Sequence, residues 1–176
     1  MVRFQRQPPG TAVTRSSLIL GMGLAVGAAP LIIAGDDVAA GACAGLGGAL
    51  LLLGGHRANH GRGGPVDRML TELFDRGWDA VVLAPIVWAM FGTDPAISIG
   101  ALIVLCASFL SSYVRARGAA LGYSVEESHV TRGFRYGLVA AGLLFGWLSW
   151  TIWLAGGVVV LAASVRTAQV AREARA

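Results

Sequence analysis

Asp75 and Asp79 stand four residues apart in the stretch RGGPVDRMLTELFDRGWDAVVLAP, which runs from Arg62 to Pro85. The stretch opens as a basic, glycine-rich loop and continues as a helix that grows steadily more apolar. At i and i+4 on a helix, two carboxylates share one face. The residues that follow, Ala80 to Leu83, read as membrane-buried sequence. A carboxylate costs about 2.5–3.5 kcal/mol at a bilayer centre and less near its edge. Acids in such a place mark a metal, proton or substrate site, or a buried pair. Carboxylate oxygens at this spacing suit magnesium or manganese, which prefer hard ligands. Arginines crowd the same region, and guanidinium groups bind phosphate in a bidentate manner. Together these residue types point to chemistry on a phosphorylated substrate at a membrane surface. The competing reading is a structural network in which the two acids pair with Arg76, Arg62 or Arg68.

The elements that would position these acids are membrane helices. Only 14% of the residues are charged while 55% are hydrophobic, a balance that argues for an integral membrane protein. Apolar runs occupy residues 17–34, 38–55, 78–91, 95–114, 132–148 and 151–165. A span needs about 20 helical residues, so the third run suffices only if its helix starts near Asp67. That start places Asp75 and Asp79 near the interface. Residues 137–165 are apolar almost without break, too long for one span. Ser149 and Thr151, among Trp147, Trp150 and Trp153, are the expected hairpin, since tryptophan concentrates at the interface. The expected fold is all-α, a six-transmembrane-helix bundle. Residues 1–16 form an N-terminal segment with Arg3, Arg6 and Arg15, and residues 17–176 form one membrane domain whose first span is retained.

The arginines test this count. All fourteen basic residues are arginine, and in a six-span arrangement all of them fall on one side. The other side receives Asp36, Asp37 and Asp94. The positive-inside rule then makes both termini cytoplasmic. The basic balance suits anionic lipid or a phosphate-bearing substrate rather than nucleic acid. Cys43 and Cys106 both lie inside apolar runs and fit neither a disulfide framework nor a zinc site. Glycines at 21, 23, 27, 41, 45, 47 and 48 give small-xxx-small spacing in the first two runs. Such spacing lets helices approach closely, as ordinary bundle packing or as the face of a homodimer.

Beyond these physical readings, the chain resembles the CDP-alcohol phosphatidyltransferases, membrane enzymes with six spans. Their signature is D-x-x-D-G-x-x-A-R, eight residues, then G-x-x-x-D-x-x-x-D. Aligned on Asp75 and Asp79, it places its arginine on Arg62, and Leu70 to Pro85 reads like its second half. The segments SYVRARGAALGY (Ser112 to Tyr123) and TRGFR (Thr131 to Arg135) resemble the subgroup that makes phosphatidylinositol phosphate, and VRTAQVAR is similar to the family's last helix. The first two signature aspartates fall on Gly54 and Arg57, and the later glycine on Thr71. His56 and His60 lie i, i+4 beside those positions and read as solvated loop residues.

The resemblance implies transfer of a phosphatidyl group from CDP-diacylglycerol to an alcohol or alcohol phosphate, with release of CMP. It implies Mg2+ or Mn2+ held by Asp75 and Asp79, with Asp79 as the base. Arg62 would steady the nucleotide phosphates, and Arg115, Arg132 and Arg135 would hold the acceptor. The implied location is a bacterial plasma membrane with the active face cytoplasmic. With half of the signature acids replaced, the alternative is a catalytically inactive relative that binds lipid or serves as a partner subunit.

Overall fold

The computed structural model describes residues 11–123 and 129–173, and within them the side chains of all but residues 61, 62, 129 and 173. These residues form six helices: α1 (Thr11–Ala34), α2 (Asp37–Arg57), α3 (Pro65–Met90), α4 (Pro95–Ala120), α5 (His129–Phe145) and α6 (Leu148–Glu173). One π-helical turn, Ala58–Arg62, continues α2. No strand occurs among the described residues, in keeping with the all-α expectation.

Four helices, α1, α2, α4 and α6, are long and apolar enough to cross a membrane. The other two carry the polar chemistry. About the first four turns of α3 hold Asp67, Arg68, Glu72, Asp75, Arg76 and Asp79. Helix α5 has 17 residues, short of the ~20 that a bilayer core requires.

Helix ends depart from the apolar runs at one end of the bundle. Helix α1 starts at Thr11 rather than residue 17, α4 continues past residue 114 to Ala120, and α6 continues past residue 165 to Glu173. Some polar residues in these extensions are buried or bonded. Thr14 is fully buried, and Arg15 Nε donates to Asp67 Oδ1 at 2.6 Å. The α5–α6 hairpin also departs from expectation. The chain reverses at Gly146, which has φ +68°, a left-handed conformation that glycine adopts without a Cβ penalty. Ser149 and Thr151 instead lie in the first turn of α6, where Thr151 Oγ1 donates to the Trp147 carbonyl at 3.1 Å.

The helices close into a ring. They follow one another in the order α1, α2, α5, α6, α4, α3 and back to α1, and α2 and α3 also touch across the ring. Glycine sets the closest approach. A Cβ at Gly21 would lie 2.8 Å from the Gly47 carbonyl oxygen, and one at Gly47 would lie 2.7 Å from that of Gly21. On the other side of α2, Gly48 abuts the Tyr136 ring and Gly41 abuts Leu144. These small residues of the first two runs therefore serve packing within the chain, whereas Gly23 and Gly27 face open space. Trp78 is fully buried at the centre. Its indole N–H donates to the Ala44 carbonyl at 3.1 Å, and its ring lies 4.2 Å from that of Tyr136.

Over-packing a close helix crossing costs about 1–3 kcal/mol. Gly47→Val should therefore lower the thermal unfolding midpoint of the protein in detergent micelles, while Gly23→Val should leave it near the wild-type value. Equal midpoints for the two variants would refute the assigned α1–α2 contact.

Candidate functional site

The starts of α1, α3 and α5 and the ends of α2, α4 and α6 meet at one end of the bundle. Cross-links between helices fix this arrangement. Arg15 of α1 bonds Asp67 of α3, Arg115 near the end of α4 pairs with Glu72 of α3 at 2.9 Å, and Arg166 of α6 donates to Ser111 Oγ of α4 at 2.6 Å. All described arginines lie in these end segments. At the opposite end, Asp36 and Asp94 cap α2 and α4 through hydrogen bonds from Ala39 N, Ala96 N and Ile97 N.

Helix α3 owes its start to Pro65 at its first turn and to Asp67, whose Oδ2 accepts from Gly64 N at 2.7 Å. Proline is pre-organised for that position, and an acid there satisfies an otherwise orphaned N–H. Two turns on, Asp75 and Asp79 face inward, both buried. Burying a charge is costly unless it is paired, and here the partners are guanidiniums. Arg76 reaches both acids, Asp75 Oδ2 in a short contact and Asp79 Oδ2 at 2.9 Å. Arg135 also reaches both, with Nη2 at 3.6 Å from Asp75 Oδ1 and Nε at 2.8 Å from Asp79 Oδ1. Arg132 Nε lies 3.3 Å from Asp75 Oδ2, and the Tyr136 hydroxyl donates to Asp75 Oδ1 in a short hydrogen bond.

Outside this cluster lies a narrow cleft, a cavity of only about 20 Å³, between α3, α4, α5 and α6. Arg76, Arg115, Arg132, Arg135 and Arg166 line it, with Ser108 among its hydroxyl groups. A second, smaller hollow of about 10 Å³ lies between α2, α3 and α5, and Asp75, Arg132 and Tyr136 form one wall of it. Arg132 thus borders both spaces. A concave surface with several converging guanidiniums and hydroxyls is suited to a phosphate or another multivalent anion.

Of the residues singled out from the sequence, Asp75, Asp79, Arg132 and Arg135 come together in one network, and Arg115 joins them on the pocket wall. Arg62 sits in the π turn, and its side chain lies outside the described residues. His56 and His60 are exposed and stack on each other with ring centroids 4.0 Å apart. Sequence reasoning did not assign Arg76, Tyr136 or Arg166 to the site. Arg76 was considered only as a structural partner, yet it lies directly between the two acids in sequence and bridges both of them.

The fit to a divalent cation can be judged from the donors. Among the described residues, no three histidine, cysteine, aspartate or glutamate side chains converge as a metal cage would require. All four oxygens of Asp75 and Asp79 face a guanidinium, and one of them also accepts from Tyr136. Mg2+ needs near-octahedral oxygen ligands about 2.0–2.1 Å away. Two acids already clasped by cations do not supply that shell.

Removing one partner of a buried ion pair costs about 3–5 kcal/mol, because the other charge is left unpaired. Arg135→Gln should destabilise the protein accordingly, and adding Asp79→Asn should recover part of the loss. A double-variant cycle in chemical denaturant tests the coupling; strictly additive effects would refute the pairing.

No family model matches the chain, and no curated protein matches it. Solved structures do. Phosphatidylinositol phosphate synthase of Mycobacterium tuberculosis, crystallised with CDP-DAG bound, is 25% identical, covers 89% of this chain over 85% of its own, and superposes with a TM-score of 0.75. The same enzyme in complex with manganese and citrate is 24% identical over 92% of this chain and 88% of its own, at a TM-score of 0.74. That enzyme is a CDP-alcohol phosphatidyltransferase. The resemblance carried by Leu70 to Pro85 and by the later arginine segments thus extends to the whole bundle, and this chain is a structural relative of the CDP-alcohol phosphatidyltransferases.

Proposed function

We propose that the chain is a multi-pass membrane protein that transfers a phosphatidyl group from CDP-diacylglycerol to an alcohol or alcohol phosphate, releasing CMP. One observation carries the reading. A guanidinium-lined pocket adjoins two buried acids in a fold whose solved relative was crystallised with CDP-DAG. In this reading all six helices cross the bilayer and the arginine-rich end faces the cytoplasm, as the positive-inside rule requires. Helices α3 and α5 cross as members of the ring, with Asp75, Asp79, Arg132 and Arg135 meeting one another inside it.

The chemistry assigned to the residues is as follows. Arg115, Arg132, Arg135 and Arg166 hold a phosphate of the acceptor in the larger pocket. Arg62 steadies the nucleotide phosphates. The acceptor oxygen bonds to the lipid-linked phosphorus, the bond from that phosphorus to the bridging pyrophosphate oxygen breaks, and CMP leaves with that oxygen. Asp79 takes the hydroxyl proton as general base. It is fully buried behind Arg76 and Arg135, so these guanidiniums must turn toward arriving phosphate to uncover it. The same turn aims positive charge at the developing negative charge of the leaving group.

Purified protein with labelled CDP-diacylglycerol and a panel of free and phosphorylated alcohols should release labelled CMP, and Asp79→Asn should abolish the release. Unchanged turnover in that variant would refute the assigned base. Arg166→Gln should raise KM for phosphorylated acceptors by at least about tenfold, the scale of one charged hydrogen bond, while leaving KM for free alcohols unchanged.

A further inference from the structure

We infer that Arg76 and Arg135 stand in this chain where a pair of divalent cations would otherwise bridge the acids, so that it binds pyrophosphate without a metal ion. The inference rests on the phosphate-handling reading above and concerns what supplies the positive charge. Three observations carry it.

The first is bridging. A two-metal site on carboxylates works because each cation is shared between acids while facing the substrate's phosphate oxygens. Here Arg76 touches Asp75 and Asp79, and Arg135 touches the same two acids from the other side. Both guanidiniums also line the larger pocket. Two side-chain cations are therefore each shared by the two acids and border the space where an anion would sit.

The second is steric. The resemblance places a metal-binding aspartate at position 54, where this chain has glycine. A Cβ there would lie 2.7 Å from Leu18 Cδ2 and 2.9 Å from Ser17 Oγ. Leu18 is fully buried. Any side chain at position 54 would therefore require Leu18 and Ser17 of α1 to shift.

The third is charge. The next signature acid is replaced by Arg57, which substitutes a positive group for a negative one. A divalent ion placed between Asp75 and Asp79 would meet Arg76 and Arg135 at ion-pair distance from the same oxygens. Like charges so close, away from bulk water, repel strongly. An anion in the pocket meets the opposite situation and gains from each guanidinium it contacts.

The test uses the full chain in detergent micelles, with inorganic pyrophosphate and Mn2+ as probes. Pyrophosphate should raise the thermal unfolding midpoint by the same amount in EDTA as in Mn2+. Mn2+ titrated alone should keep its free-ion paramagnetic resonance signal. Depletion of that signal by the wild-type chain, or loss of the pyrophosphate shift in EDTA, would overturn the inference. Labelled CDP-diacylglycerol separates this idea from the function it rests on. A pyrophosphate shift in EDTA without CMP release from any acceptor sustains the metal-free site and defeats the transferase reading. CMP release that requires Mn2+ sustains the transferase and defeats the metal-free site.

Discussion

The rest of the structure depends on a charge balance struck between α3 and α5. Two carboxylates on one face of α3 lie in the interior of a bundle made largely of apolar helices, where an unpaired charge is intolerable. Arg135 and Arg132 descend from α5 to meet them, and Arg76 folds back from α3 itself. The relative rotation of these two helices follows from that meeting. A turn of either helix by one residue would carry an acid or an arginine away from its partner and leave it buried alone. Asp67 plays a smaller version of the same part, holding Arg15 of α1 while it caps α3.

Around this pairing the helices pack by closeness rather than by bulk. In lipid, helix association gains little from hydrophobic burial and much from close contact. Glycines on α2 let α1 and α5 approach on its two sides, down to the carbonyl contact between Gly21 and Gly47. The same economy holds at Gly54, where Leu18 and Ser17 of α1 come close to α2.

The chain thus pairs the fold of a CDP-alcohol phosphatidyltransferase with an inverted electrostatic centre. Guanidiniums clasp the two acids of α3, and the end of α2 carries Gly54 and Arg57. A site of this kind favours anions with several oxygens and disfavours small hard cations. The hydroxyl and guanidinium groups of the adjoining pocket continue that preference across α4 and α6.

Much of this was legible in the chain itself. The spacing of Asp75 and Asp79 put them on one helix face, and the one-sided arginine distribution placed every arginine of the described residues at one end of the bundle. Both follow from local periodicity and from the cost of charge in lipid, which sequence records directly. Helix ends were less legible, because hydropathy marks the apolar stretch and not the polar turns that continue it. Thr11 to Ser16 and residues 166–173 continue their helices beyond the apolar runs, and there Arg15 and Arg166 bond to neighbouring helices. The chain reversal at Gly146 was masked by the polar residues that follow it. Which cation meets which acid was decided only by the tertiary structure. Arg76 adjoins Asp75 in sequence, but Arg135, Tyr136 and Arg166 lie some sixty to ninety residues farther along, and only the ring order of the helices brings them to the same cluster or pocket. The nearness of Leu18 to position 54 is likewise a fact of helix approach, fixed by how near α1 lies to α2 and not by either segment alone.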